Sequence, residues 1–142
     1  MKILLAVDSS KPSLDAVQSL IDHADWYAEK PKVELLTVHL PVPRLPGLST
    51  VVGKADLENY YHDEGMQALA AAKKRLDAAG VPYTPRILVG PVAETIVSHA
   101  EKSKCDLIFI GSRGMNAVGK ALLGSTASKV LQLSAVPVLL VK

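Results

Sequence analysis

Short aliphatic segments alternate with helical segments along the whole chain, and this alternation limits the possible folds more than any other feature. A strand is predicted over residues 2–7, because the residues after Lys2 are aliphatic without polar alternation, a pattern typical of a strand buried on both faces. Strand character recurs in residues 33–39, 83–89, 106–110 and 136–141. Between these segments, apolar side chains recur at three- and four-residue steps, as in amphipathic helices. The alternation predicts an α/β fold in which helices cover both faces of an open five-stranded parallel sheet.

Proline, glycine and serine mark the predicted helix ends. Pro12 suits the first turn of the first helix, and Gly80 suits the C′ position after the second helix, predicted over residues 56–79. Ser125 is expected to cap the fourth helix, predicted over residues 125–134. Two segments, 41–53 and 111–124, lack a clear period. The first is either a lid or interface loop or a tolerated surface insertion.

The composition is that of a globular protein and excludes several partners. The 142 residues, 49% hydrophobic and 21% charged, predict one domain over residues 1–142. A formal charge of +2 and only 4% aromatic residues argue against nucleic acid as a partner. Asp8 interrupts the first apolar run, and no run is long enough for membrane insertion. Because a single cysteine, Cys105, fits a reducing compartment, a cytoplasmic location is expected.

The segment 111–124 carries the strongest chemical signal. Gly111, Gly114, Gly119 and Gly124 lie between a predicted buried strand and a predicted helix. Glycine lets peptide N–H groups approach an anion closely, and a helix N-terminus carries partial positive charge. Together these features can bind phosphate, and Arg113 in the loop either pairs with phosphate or remains solvated. Glycine richness alone leaves an ordinary turn-rich loop as the alternative.

Of two phosphate-binding patterns tested on this segment, the P-loop G-x4-G-K-S/T fails. Gly114 to Lys120 match it, but Ala121 stands where a hydroxyl would hold Mg²⁺. The pattern G-x2-G-x9-G-S/T fits at every fixed position, through Gly111, Gly114, Gly124 and Ser125. The chain is thereby similar to the universal stress protein family over its whole length. Further anchors of the resemblance are the run from Ile3 to Asp8 with Ser9 and Ser10, Val38, Gly90-Pro91 and the run from Val136 to Val141, with Thr126 as a mild departure.

The resemblance implies the strand order 3-2-1-4-5 and binding of ATP, alone or with Mg²⁺. In that order, strands 1 and 4 flank the crevice where open α/β sheets bind ligands. The resemblance assigns Asp8 a contact to the nucleoside and Val38 a backbone contact to adenine. Helix capping by Asp8 and core packing by Val38 are the alternatives. The ribose–phosphate cradle is assigned to Gly111, Gly114, Gly124, Ser125 and Thr126, with Arg113 as a candidate phosphate contact.

The last strand, from Val136 to Val141, is apolar and lies at the edge of the sheet in the implied order, so a homodimer through this strand is predicted, and the resemblance also points to it. The alternative is that the chain's own helices cover these side chains and the edge faces solvent. A protein partner of unknown identity is also expected. The favoured function is a nucleotide-dependent regulatory or stress-response factor. One alternative is a slow ATPase or self-phosphorylating enzyme that uses Asp8 with the hydroxyl of Ser125 or Thr126. Another is an ATP-sensing regulatory subunit of a transporter. No catalytic residue is assigned, because helix carboxylates such as Glu94 are expected to lie away from the strand ends.

The four histidines show no metal-ligand spacing, and no metal site is predicted. His23, His62 and His99 fall in helical segments and are expected to be solvated. His39, directly after Val38, is a candidate for the lining of the cleft.

Overall fold

The computed structural model describes residues 1–43, 53–113 and 123–142. Its elements follow the predicted alternation, with a short 3-10 helix at Ala24–Trp26 after the first helix. In chain order they are β1 (Lys2–Ala6), α1 (Lys11–Asp22), β2 (Lys32–His39), α2 (Lys54–Ala78), β3 (Tyr83–Val89), α3 (Val92–Lys102), β4 (Leu107–Gly111), α4 (Ser125–Leu133) and β5 (Val138–Val141). Most of the predicted loop 41–53, residues 44–52, lies outside the described part of the chain.

The strands form one parallel sheet in the order β3-β2-β1-β4-β5, which confirms the predicted fold. β1 lies at the centre, paired with β2 on one side and β4 on the other, so the strand order reverses between β1 and β4. Helices α1 and α2 cover one face of the sheet, around Leu5 and Phe109. Helices α3 and α4 cover the other face, around Leu4 and Ile108, where Cys105 also packs. Across the described ranges, no helix combines the length and apolarity needed to cross a membrane.

The helix ends follow local chemistry. α2 ends in a Schellman motif, in which Gly80 has a φ of +65° and Val81 N–H donates to the carbonyl of Leu76 at 3.0 Å. α1 begins at the N-cap Ser10, whose hydroxyl oxygen accepts a hydrogen bond from Ser13 N–H at 3.4 Å. The backbone conformation of Gly80 and the Val81 hydrogen bond confirm Gly80 as the C′ residue of α2.

The last strand is shorter than predicted. β5 begins at Val138 rather than Val136 because Pro137 has no N–H to donate to the ladder. The carbonyl of Pro137 still accepts a hydrogen bond from Ile108 N–H at 2.9 Å. β5 therefore forms the edge of the sheet with four residues, beside β4.

A buried carboxylate lies in β2, where the pattern predicted only a strand. Glu34 is 6% exposed, and its Oε1 lies 2.6 Å from Lys2 Nζ. Its Oε2 lies 2.5 Å from His99 Nε2 and 3.8 Å from Arg86 Nε. The prediction of a solvated His99 is therefore wrong, because α3 packs on the sheet and the ring meets a carboxylate on the neighbouring strand.

The neighbours of Glu34 keep it ionised. Burial raises the pKa of Glu34, but hydrogen bonds and charges from Lys2 and His99 lower it by more, so this pKa lies below its ordinary value of 4.5. A carboxyl group whose pKa is depressed by folding stabilises the protein at pH values above its unfolded pKa. That stabilisation is lost as the pH falls through the folded pKa.

We expect Glu34→Gln to lower the free energy of unfolding by roughly 1.5–3 kcal/mol at neutral pH, because hydrogen bonds to charged groups contribute about this much. Urea unfolding of both proteins at neutral pH and in steps below pH 4.5 measures the difference. The difference should shrink at acidic pH, where the wild-type carboxyl also becomes protonated. A difference that persists unchanged in acid would show that the carboxylate charge is not its source.

Candidate functional site

A cleft of about 680 Å³ opens at the carboxyl edge of the sheet. The ends of β1, β2 and β4 form its floor, and the first turns of α3 and α4 form its wall. Open α/β sheets bind ligands at this position, because the chain leaves neighbouring strands toward opposite faces where the strand order reverses. The volume lies within the roughly 300–1,000 Å³ of small-molecule sites.

The structure brings together all the predicted site residues that it describes. Asp8, Val38 and Gly111 come from the strand ends and the residues directly after them, and all three line the cleft. The other lining residues of the predicted set are Arg113, Gly124, Ser125 and Thr126. Gly114 lies outside the described residues. Parallel strands all end at the same edge, so residues far apart in sequence meet there.

The start of α1 orients Asp8. Its Oδ1 accepts hydrogen bonds from Ser10 N–H at 2.9 Å and from the Ser13 hydroxyl at 2.7 Å. The hydroxyl oxygen of Ser13 in turn accepts a hydrogen bond from Asp8 N–H at 2.9 Å. The N-cap of α1 is Ser10, so the alternative in which Asp8 caps the helix is wrong. The carboxylate is half-buried at the cleft, where it can accept hydrogen bonds from a ligand.

Gly111 lets β4 approach α1 more closely than a residue with a side chain could. A Cβ at this position would lie 2.6 Å from the carbonyl oxygen of Pro12 and 3.1 Å from the backbone nitrogen of Ser13. These backbone atoms belong to the first turn of α1 and cannot rotate away. From the sequence, the predicted role of Gly111 was to let an anion approach the backbone closely. The packing of α1 against β4 already requires a glycine at this position.

α4 begins without a capping side chain. Gly124 occupies the N-cap position, so Ser125 is the first helical residue and the prediction that Ser125 caps the helix is wrong. Gly124 N–H donates to the carbonyl of Ser112 at 2.6 Å, which joins the start of the helix to the end of β4. Gly124 offers no side-chain acceptor to the first-turn N–H groups, which carry the partial positive charge of the helix. Ser125 and Thr126 line the cleft beside them.

The end of β2 and the residue after it also line the cleft. Val38 lines the cleft and also packs against the core under α3 and α4, so its two interpretations are compatible. His39 and Leu40 line the cleft as well. The His39 ring packs edge-on against Tyr61, with centroids 5.3 Å apart, and against Tyr60 at 5.6 Å.

Sequence reasoning missed an ion pair on the wall of the cleft. Glu94, in the first turn of α3, contacts Lys129 of α4, and both side chains line the cleft. The expectation that Glu94 lies away from the strand ends is wrong, because α3 begins directly after the turn that follows β3. The hydrogen bond from Lys129 keeps the pKa of Glu94 below its ordinary value. The Gly90-Pro91 turn, which marks the start of α3, was the available signal.

Metal ligands do not cluster in the part of the chain that the structure describes. There, no three His, Cys, Asp or Glu side chains are arranged to hold an ion. His62 is exposed, as predicted, whereas His23 is half-buried and its Nδ1 lies 2.7 Å from the carbonyl oxygen of Ser19.

The sheet order, with a cleft where it reverses, defines a doubly wound α/β protein. The family model described as "Universal stress protein family" matches residues 1–142. The chain therefore belongs to the universal stress protein family.

Individual proteins agree with this assignment. The chain is 31% identical to the universal stress protein YxiE of Bacillus subtilis, over 99% of this chain and 98% of that protein. Its structure is similar to that of MJ0577 of Methanocaldococcus jannaschii, with a TM-score of 0.79, 29% identity and coverage of 99% and 94% of the two chains. It is also similar to a universal stress protein crystallised in complex with cAMP, with a TM-score of 0.70, 27% identity and coverage of 100% and 97%.

We expect Gly111→Ala to lower the free energy of unfolding by about 1–3 kcal/mol, the typical cost of forcing an extra carbon into a packed position. The added Cβ would push the first turn of α1 away from β4 and disturb the hydrogen bonds of Asp8. Urea unfolding of the unliganded protein measures the loss. Equal stability of variant and wild type would show that α1 moves away from β4 at no cost.

Proposed function

We propose that this protein binds ATP in the cleft and acts as a nucleotide-dependent regulatory factor in the cytoplasm. The observation that carries the proposal is the convergence of Asp8, Gly111 and the first turn of α4 on one cleft. A carboxylate on one side suits the hydroxyl donors of a sugar. A helix N-terminus without a capping side chain on the other side suits phosphate. A nucleotide has both chemical groups, one at each end.

The phosphates would lie at the start of α4. Peptide N–H groups and the partial positive charge of the helix favour an anion there, and Ser125 and Thr126 supply hydroxyl donors. The Arg113 guanidinium would add a charge-assisted contact. Gly114 belongs to the same proposed cradle by its spacing from Gly111. Mg²⁺ would be held largely by the phosphates, as is usual for this ion.

The nucleoside would lie toward β1 and β2. The carboxylate of Asp8 would accept hydrogen bonds from the nucleoside, and the backbone of Val38 would contact adenine. The related protein crystallised with cAMP supports an adenine nucleotide as the ligand class.

Binding is favoured over turnover by the charges on the cleft. Among the described residues, the carboxylates that line it are Asp8, which already accepts two hydrogen bonds, and Glu94, which is paired with Lys129. Both of these described carboxylates are thus already engaged with other groups, which favours binding over hydrolysis. A regulatory role would require a protein partner. The proposed cytoplasmic location fits Cys105, the single cysteine of the chain, which is a free thiol.

The proposal predicts that purified wild-type protein binds ATP in isothermal titration calorimetry. Gly114→Val should abolish binding while leaving the fold intact, because a branched side chain would occupy the phosphate path. Asp8→Ala should weaken binding by about tenfold or more, since a hydrogen bond to a charged group is worth roughly 1.5–3 kcal/mol.

His62→Ala is the matched control, because His62 is exposed on α2 and does not line the cleft. Its affinity for ATP should equal that of the wild type. Unchanged affinity in Gly114→Val would contradict the proposed cradle. If Asp8→Ala lowers the melting temperature but not the affinity, Asp8 serves only to hold the start of α1.

We further propose a homodimer through β5. The carbonyl of Pro137 accepts a hydrogen bond from Ile108 N–H of β4 at 2.9 Å, and the carbonyl of Val141 accepts one from Ser112 N–H, directly after β4, at 2.7 Å. Backbone groups alternate between the two sides of a strand, so the N–H and C=O groups of Val138 and Leu140 point away from the sheet. An apolar edge with unpaired backbone groups favours pairing with another strand, and a second copy about a twofold axis would supply one. The neighbouring helix α4 exposes Leu131 and Leu133, which would add apolar contact.

Leu140→Pro should shift the protein to monomers, because it removes an N–H that points outward at the edge. Leu140→Ala is the control, since it shortens the side chain but keeps the N–H, and it should still dimerise. Sedimentation equilibrium of the three proteins decides the outcome. Wild-type protein that stays monomeric at high micromolar concentration would contradict the dimer.

A further inference from the structure

One ion pair on the cleft wall has no role in the proposed nucleotide contacts. Lys129 of α4 reaches Glu94 of α3, and the two side chains are 52% and 43% exposed. Exposed ion pairs contribute little to stability, because water solvates both charges almost as well as they solvate each other. The packing of α3 on α4 therefore does not depend on this pair.

Lys129 lies close to the proposed phosphate position. It follows Ser125 by four residues, so both lie on the same face of α4. Both also line the cleft. A lysine ammonium is a point charge on a flexible stem, which can exchange one anionic partner for another. A phosphate group that extends past Ser125 along this face would meet Lys129.

Glu94 opposes that exchange. Among described residues, the cleft is lined by two carboxylates, Asp8 and Glu94, and by two permanent cations, Arg113 and Lys129. While Lys129 is paired with Glu94, the pair presents almost no net charge to a ligand. A second or third phosphate would compete with Glu94 for Lys129, whereas a single phosphate at the helix N-terminus would not need it.

Resting on the nucleotide-binding function proposed above, we propose that the Lys129–Glu94 pair sets the preference between nucleoside triphosphates and monophosphates. Lys129 contacts the distal phosphates, and Glu94 is a positioning residue that competes with them for the ammonium. The affinity for ATP is therefore lower than it would be if Lys129 were not paired with Glu94.

Titration of ATP and of AMP into wild type and two variants tests the assignment. Lys129→Met should lower the affinity for ATP about tenfold more than the affinity for AMP, the effect of losing a charge-assisted hydrogen bond. Glu94→Gln should act in the opposite direction and raise the ratio of ATP to AMP affinity, because it releases Lys129. Both changes should weaken as salt is added, since the charges are exposed.

Lys102→Met is the matched control. Lys102 is an exposed lysine at the far end of α3 and does not line the cleft, so its loss removes the same net charge elsewhere. The ratio of ATP to AMP affinity in this variant should match the wild type. Thermal melts show whether each variant is folded, and Glu94→Gln tests the proposal independently if Lys129→Met is unstable.

The outcomes separate the two proposals. If wild type binds neither nucleotide, the proposed function is wrong, and this inference is overturned with it. If wild type binds ATP, but Lys129→Met and Glu94→Gln leave the ratio of affinities unchanged, the proposed function stands and the role of the ion pair is wrong. Opposite shifts in the two variants, with no shift in Lys102→Met, support it.

Discussion

The central position of β1 is the constraint on which the rest of the structure depends. Ile3, Leu4 and Leu5 are fully buried, and alternate side chains of this strand enter the cores on opposite faces of the sheet. Because β1 is paired on both edges, the chain adds β2 and β3 on one side and β4 and β5 on the other. The same reversal opens the cleft, so the packing that stabilises the sheet also creates the candidate site.

The cleft is held in shape by contacts that serve packing first. Gly111 brings β4 against Pro12, and the hydroxyl of Ser13 joins the start of α1 to Asp8. Gly124 joins the start of α4 to the end of β4. Backbone atoms and short side chains thus set the positions of the polar groups in the cleft. A site of this kind is preorganised, because few long side chains must be immobilised when a ligand binds.

Several predictions from the sequence were confirmed because they concern neighbouring residues. The apolar periods located the strands and helices, and Gly80 marked the end of α2 through its own backbone conformation. Two of the wrong predictions, for His99 and Glu94, concern contacts between distant segments. In the sequence, Glu34 is a single polar residue in a predicted strand and His99 a polar residue in a predicted helix. The fold brings these two residues, which are 65 positions apart, into contact. The Ser125 prediction failed locally: serine suits an N-cap by type, but Ser125 is the first helical residue and Gly124 occupies the N-cap position.

The sequence by itself determined the α/β class, the parallel sheet and the glycine spacing on which the family resemblance rests, because periodicity and spacing are properties of the chain alone. The family resemblance assigned the residues of the candidate site, and the topology explains why they meet, because the ends of parallel strands lie at one edge of the sheet. Only the tertiary structure decided that Gly111 is needed for helix packing, that Glu34 lies in a buried charge network and that Glu94 pairs with Lys129 on the cleft wall. Each of these depends on the distance between two elements, and that distance exists only once the helices have packed on the sheet.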